Sequence, residues 1–207
     1  RALALNPDGT PLASSTYDGH MLLWSIKEVM ERTFANLKDT APTLAFSADG
    51  KGLAGASVHS ILRATAIGDN SERVTYRGRH AFRVFSPDLR ILASACHQDV
   101  DLMDTATGKL LGMLPDHPGT VNFIAFSGDG KTVAVIVGTY SDAGYDSDLF
   151  IWDATKQTVR ARLKGLGYCT TASLAFDGSY GVVIAVKSFR ANLQELKVVD
   201  IATGNTT

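Results

Sequence analysis

Apolar and polar residues alternate through much of this chain in short bursts, and the bursts repeat one grammar. The stretch "VNFIAFSGDGKTVAVI", from Val121, alternates up to Phe126, breaks at an Asp-Gly pair and resumes as a second apolar run. That order predicts a β-hairpin. Gly suits the turn because it tolerates positive φ, and Asp because its carboxylate can accept from its own backbone.

Four more copies stand in the chain: "ALALNPDGTPLASS" from Ala2, "PTLAFSADGKGLAGA" from Pro42, "RVFSPDLRILASA" from Arg83 and "SLAFDGSYGVVIA" from Ser173. The residues before the turns are read as Leu5, Phe46, Phe85, Phe126 and Phe176, separated by 41, 39, 41 and 50 positions. An aliphatic residue follows each seven positions on: Leu12, Leu53, Leu92, Val133 and Val183. A third apolar segment ends each unit, closing at Ser25, Thr65, Asp104, Asp153 and Asp200. Stretches such as "KLLGMLP" and "TVRARLK" supply a weaker fourth strand. "IKEVMERTFANL" is helix-like and is read as room for a short turn of helix where a fourth strand is due.

Four short strands per roughly 40 residues predict an all-β chain, a β-propeller of about five four-stranded blades with the first incomplete. The units are placed at 1–25, 26–65, 66–104, 105–153 and 154–207, within one propeller domain or fragment spanning 1–207. An open partial ring is expected, with a closed five-bladed ring as the alternative. The opening "RALALNPDG" has no Met and no targeting pattern, so the chain is read as starting within a longer protein.

Composition changes little in this picture. Hydrophobic residues make up 45% and charged residues 20% of 207, which is ordinary globular usage. A net charge of −1 and scattered basic residues point away from nucleic acid or an acidic membrane surface. No run of 18 apolar residues is present to form a membrane-spanning helix. Cys96 and Cys169 lie apart, form no ligand cluster, and are read as buried reduced thiols. Without a disulfide pattern, a cytoplasmic location is expected.

With "DHPGTVNFIAFSGDGKTVAVIV…DLFIWD", "LASSTYDGHMLLWS" and "FSPDLRILASA…LMDTATGKLL", the chain resembles the WD40 repeat family over nearly its whole length. Trp stands at Trp24 and Trp152, with Ala64, Met103 and Val199 read as its replacements in the other units. The resemblance implies a structural hydrogen-bond network, in which His117 and Trp152 take two places in the fourth unit, and Asp18 and Trp24 two in the first. It also implies a protein-binding scaffold rather than an enzyme.

Catalytic motifs are absent: no GxSxG elbow, no HExxH and no phosphate-cradling loop. No cofactor and no metal is expected. His20, His59 and His97 fall near corresponding turns, and are read as solvated loop residues. The individual feature is "GTYSDAGYDSD", residues 138–148, which lengthens the fourth unit by about eight residues. Its carboxylates lack the order of a calcium loop, and a partner-contacting loop is the reading kept beside an idle one. The contact face is placed at the turns around Tyr17–His20, Val58–Ser60, Cys96–Asp99, Tyr140–Asp148 and Ser188–Asn192. Tyr17, His20, Tyr140, Asp142, Tyr145, Phe189 and Arg190 are the candidate partner-binding residues, since aromatic and arginine anchors dominate interfaces. The expected function is a non-catalytic interaction scaffold for a protein or peptide. The alternatives are a ligand-binding or hydrolytic propeller with a polar central funnel, and a purely structural module of a larger protein. Further blades or domains of the same parent chain count among its expected partners.

Overall fold

The strands follow the alternation, and adjacent strands in the chain are adjacent in each sheet. The computed structural model describes residues 2–25, 30–36, 43–57, 62–66, 82–141, 144–175, 177–188 and 193–203. The first sheet joins β1 (Leu3–Leu5), β2 (Pro11–Ser15), β3 (His20–Ser25) and β4 (Met30–Asn36) in that order. The second joins β5 (Thr43–Phe46), β6 (Gly52–Ala56) and β7 (Leu62–Ala66). The third holds β8 (Phe82–Phe85), β9 (Ile91–Cys96), β10 (Asp99–Asp104) and β11 (Leu110–Leu114). The fourth holds β12 (Thr120–Phe126), β13 (Thr132–Ser141), β14 (Gly144–Asp153) and β15 (Thr158–Leu163). The fifth joins β16 (Tyr168–Leu174), β17 (Tyr180–Ser188) and β18 (Leu193–Asp200). The fold is all-β: five meander sheets, none closed on itself, with no helix among the described residues.

Three readings change. Met30–Asn36, placed in the helix-like stretch, is a strand paired with β3 from Ser25↔Met30 to His20↔Asn36. Backbone pairing along a sheet edge overrides a weak helical pattern there. The fifth unit is shifted by two residues: Leu174 pairs with Gly181, as Leu5 pairs with Leu12, Phe46 with Leu53 and Phe126 with Val133. Leu174, not Phe176, therefore precedes the fifth turn. In the second unit Thr65 faces Leu53, as Trp24 faces Leu12, so Thr65 rather than Ala64 holds the Trp position.

The recurrent turn is built the same way at Ser47, Ser86 and Ser127. Ser127 Oγ donates to Asp129 Oδ1 at 2.7 Å and accepts from Thr132 N at 3.0 Å, while Lys131 N donates to Asp129 Oδ1 at 3.0 Å. Where the leading Ser is missing, the hydroxyl comes from the other side of the Asp. Thr10 Oγ1 donates to Asp8 at 2.7 Å, and Ser179 Oγ to Asp177 at 2.6 Å. The hydroxyls of Ser47 and Ser179 hold Asp49 and Asp177 below the ordinary carboxylate range; at Asp129 burial pushes upward, but the Ser127 hydroxyl and the Lys131 N–H prevail and the carboxyl is lowered there too.

The chain resolves into two compact units, Arg1–Ser94 with Leu102–Leu111 and Ala95–Asp101 with Gly112–Thr207. In the first, Leu44 and Phe46 pack on Ala13, Met21, Leu23 and Leu53, and a second cluster joins Ala54 and Ala56 to Phe85, Leu92 and Met103. Turns tie its sheets together: Asn6 Nδ2 donates to Gly50 O at 3.0 Å, and Ala48 N to Pro87 O at 2.8 Å. Gly50 has φ +70, and a Cβ there would lie 2.3 Å from Asn6 Oδ1, so this turn needs glycine twice over. In the second unit Ala134, Ile136, Leu149 and Ile151 of the fourth sheet pack on Cys169, Ala172, Leu174, Val183 and Val199 of the fifth.

Candidate functional site

The lengthened segment of the fourth sheet is a hairpin, not the loop its Gly and Asp content suggested. β13 and β14 stay in register from Thr132↔Asp153 out to Ser141↔Gly144, bringing Tyr140 opposite Tyr145. Cross-strand aromatic pairs stabilise such an extension. The two rings meet edge to face, with centroids 4.7 Å apart at 74°, and Tyr145 leans in turn on Tyr168 at 4.8 Å. Tyr140 is 86% exposed, so the ladder runs from a half-buried base to an open tip.

Two glycines make room for that base. A Cβ on Gly138 would lie 1.9 Å from Tyr145 Oη and 2.5 Å from Asn122 Nδ2, and one on Gly119 would lie 2.1 Å from Gly138 O. Asn122 donates to Tyr145 Oη in the space so created. Burial pushes the Tyr145 hydroxyl above its ordinary pKa of 10.0, so it stays protonated.

The acidic groups below the tip face inward to protein donors. Asp146 Oδ1 accepts from Ser147 N and Gly167 N, each at 2.8 Å. Ser147 Oγ accepts from Cys169 N at 3.1 Å. Asp148 Oδ2 accepts from Arg162 Nη2 at 2.7 Å and Nε at 3.1 Å, and Oδ1 from Gly165 N at 3.3 Å. These oxygens fasten residues 165–169, the end of the β15–β16 connection and the start of β16, to the hairpin base. They are engaged as anchors of the chain. Among the described residues no group of three or more His, Cys, Asp or Glu side chains is placed to hold a metal ion.

Deeper in the fourth sheet, Trp152 Nε1 donates to His117 Nε2 at 3.3 Å, and His117 Nδ1 donates to Gln98 O at 2.6 Å. Phe150 meets the imidazole edge to face at 4.9 Å, and Arg162 lies 4.7 Å above the Phe150 ring. Burial holds the His117 pKa below its ordinary 6.5; the carbonyl of Gln98 and the charges of Asp99 and Asp116 pull the other way, and Arg162 adds to the lowering. The imidazole is therefore neutral, protonated on Nδ1. It holds Trp152 in place and offers no lone pair for chemistry.

The first sheet makes a different arrangement from the same residue types. Asp18 accepts from Thr16 Oγ1 and faces His20 Nδ1 at 3.0 Å. The Thr16 hydroxyl first, and His20 second, lower the Asp18 pKa to about 2. Trp24 Nε1 donates to Ser14 Oγ at 2.9 Å instead of to a carboxylate–histidine set. Tyr17 projects from the same turn, 68% exposed.

Tyr17, Asp18 and His20 thus share one turn, and Tyr140 and Tyr145 share another. Asp142, Phe189, Arg190, Val58–Ser60 and residues 189–192 lie outside the described residues. Tyr168, Asn122 and Arg162 complete the site and went unmarked in the sequence. Tyr168 comes from a different sheet and Asn122 from a different strand, so no local spacing links them to the hairpin. Gly138 was the available signal, since a glycine inside a strand marks a close approach.

The family model described as "WD domain, G-beta repeat" matches residues 1–25 and 108–153. Among solved structures, Kuenenia stuttgartiensis hydrazine synthase is similar with a TM-score of 0.72 at 17% identity. The β-propeller domain of Cps50 (Swd1) from Myceliophteria thermophila is similar with a TM-score of 0.75 at 18% identity. Each likeness covers 96% of this chain and 64% of the other, so the chain spans less than two thirds of either. At these identities the likeness is one of fold. No curated protein sequence matches the chain.

Proposed function

We propose that this chain, a β-propeller by fold with the WD40 repeat model matched at residues 1–25 and 108–153, is a non-catalytic platform for another protein or a peptide, and that the extended hairpin of β13 and β14 is its recognition element. WD40 repeat domains generally mediate protein–protein interactions and are usually non-catalytic, which gives the class and no more. The observation that carries the finer reading is Tyr140. An aromatic side chain 86% exposed, yet braced by ring contact with Tyr145 and through it by Tyr168, loses little freedom on binding. The carboxylates nearby are occupied with holding the hairpin, which supports a binding role for the tip over a chemical one. A cytoplasmic setting belongs to the same proposal, and the free, buried thiol of Cys169 supports it.

The test is affinity capture with three baits matched for thermal stability: wild type, Tyr140→Ala, and a hairpin trimmed of residues 140–145. Trimming there spares Asp146, Ser147 and Asp148, which anchor residues 165–169. Proteins recovered by wild type are expected to drop out with both variants. Equal recovery by all three overturns the assignment of the hairpin.

A further inference from the structure

Three tyrosines form a series of ring contacts at the hairpin, and two of them face each other across its strands. Tyr140 and Tyr145 are directly opposed in the β13–β14 register, a placing that sets Cβ atoms about 4.5–5.5 Å apart. Their ring centroids lie 4.7 Å apart at 74°, so the edge of one ring meets the face of the other. Tyr145 is held in place, with Asn122 donating to its Oη and Tyr168 against its ring at 4.8 Å and 48°. Tyr145 and Tyr168 are both half-buried and confined. Tyr140 is 86% exposed, and its ring has room to turn.

Two phenols in contact can be coupled by oxidation. Each gives up one electron and one proton to become a phenoxyl radical. A bond then forms between a Cε carbon of each ring, and the hydrogens on those carbons move to the oxygens, restoring both phenols. Only two hydrogen atoms are lost in all. One molecule of hydrogen peroxide, acting through a haem peroxidase, accepts those two electrons and two protons and becomes two molecules of water. Holding the two rings together turns a bimolecular coupling into a unimolecular one. The remaining motion, a rotation that brings the two Cε carbons together, falls to the open ring of Tyr140. Cys169, next to Tyr168 in the chain, does not compete for the peroxide. It is buried, burial pushes its thiol up to about 11, and the thiolate is the reactive form.

We propose that Tyr140 and Tyr145 are an oxidative modification site, at which peroxide and a peroxidase join the two strands of the hairpin through a dityrosine bond. The bond closes the tip covalently, one pair short of Ser141↔Gly144. It forms whether or not the tip contacts a partner, so it stands apart from the recognition reading. Tyr180 provides an internal comparison. It is 52% exposed with no tyrosine ring against it among the described residues, and so offers the oxidant a phenol without a second one to couple to.

The test treats dilute protein with a haem peroxidase and limiting hydrogen peroxide, then weighs its tryptic peptides. Residues 132–156 hold no Lys or Arg before Lys156, so Tyr140 and Tyr145 stay on one peptide, while Tyr168 and Tyr180 share residues 165–187. The peptide 132–156 is expected to lose two hydrogen atoms, to resist fragmentation between its two tyrosines and to carry dityrosine fluorescence. Tyr140→Phe, a change at an exposed position that should melt as wild type does, is expected to abolish all three signals. Tyr168→Phe, which keeps the bracing ring, should retain them. Protein digested before oxidation has the same peptides without the fold, and should give the internal bond in several-fold lower yield. An unchanged mass for 132–156, a link from it to 165–187, or chains joined to one another in place of the internal bond overturns the proposal. Loss of the bond in Tyr168→Phe, or an equal yield from protein digested first, overturns it as well.

Discussion

Trp152 reaches His117 across 35 residues of chain, its indole N–H donating to Nε2 at 3.3 Å while both side chains are almost wholly buried. Neither group has water to fall back on. A His117→Leu variant leaves the indole N–H unpaired in the interior and is expected to lose about 1–3 kcal/mol of stability. Denaturant unfolding of His117→Leu, Trp152→Phe and the double variant checks it. The double change should cost clearly less than the two single changes added, because the second substitution removes a group the first had already orphaned. Simple additivity would mean that the bond contributes nothing.

The same imidazole makes stability depend on pH. Its folded pKa lies below the ordinary 6.5, with burial the chief cause, so on acidification the unfolded chain takes up this proton first. Stability from His117 is therefore complete above pH 6.5 and is lost as the pH falls through the folded value. The lowered carboxylates act in the same direction but below their ordinary 3.8, a separate window. Urea midpoints should fall between about pH 7.5 and about pH 5 for wild type, and that fall should flatten in His117→Leu. An unchanged slope in the variant assigns the effect to another group.

How far the sequence could be read is clearest at the turns. The Asp-Gly signal and the period of two are local, so the pairs Leu5–Leu12, Phe46–Leu53 and Phe126–Val133 were legible. Phe176, which lies outside the described residues, misled because it directly precedes Asp177 in the sequence, whereas the register counts three residues back from the Asp to Leu174. The hairpin of β13 and β14 was read as a loop because its Gly and Asp are turn formers taken one at a time. The backbone ladder from Thr132↔Asp153 to Ser141↔Gly144 makes it a strand pair, and the ring of Tyr145, lodged between Tyr140 and Tyr168, braces its tip through a contact that spans sheets.

The alternative hydroxyls of the turns predict a rescue. Ser127→Ala removes a donor to Asp129 and an acceptor for Thr132 N, and is expected to cost about 1–2 kcal/mol. Lys131 occupies the place that Thr10 and Ser179 hold in the turns lacking the leading Ser. Adding Lys131→Ser to Ser127→Ala should therefore recover part of the loss by returning a hydroxyl to the Asp129 carboxylate. Thermal melts of the single and double variants decide it, and a double variant no better than Ser127→Ala would refute the equivalence.

Two serines at the same repeat position should respond in opposite ways. Ser14 Oγ accepts the Trp24 indole N–H, but Met103 stands at the Trp position of the third sheet, and Ser94 Oγ is buried with no partner among the described residues. Ser14→Ala is expected to cost about 0.5–1.5 kcal/mol, the net value of one hydrogen bond. Ser94→Ala removes an unsatisfied group and should be neutral or stabilising. Unfolding free energies of the pair check this; a loss at Ser94 as large as that at Ser14 would show that its hydroxyl is in use.

Gly138 is where the aromatic ladder is most vulnerable. An added Cβ would fall 1.9 Å from Tyr145 Oη, and the hydroxyl lies at the far end of a side chain that can swing outward. Gly138→Ala is therefore expected to leave the β13–β14 pairing intact while expelling the Tyr145 ring toward solvent and freeing Asn122. Burial is the main reason the Tyr145 pKa exceeds 10.0, so its phenol should titrate closer to 10.0 in the variant. Ultraviolet titration of tyrosine, read against Tyr145→Phe to assign the signal, measures the shift. Loss of the brace should also free Tyr140, so the variant should bind the captured partner more weakly with a melting temperature near that of wild type. An unmoved titration with weakened binding would instead place the effect on the backbone of β13.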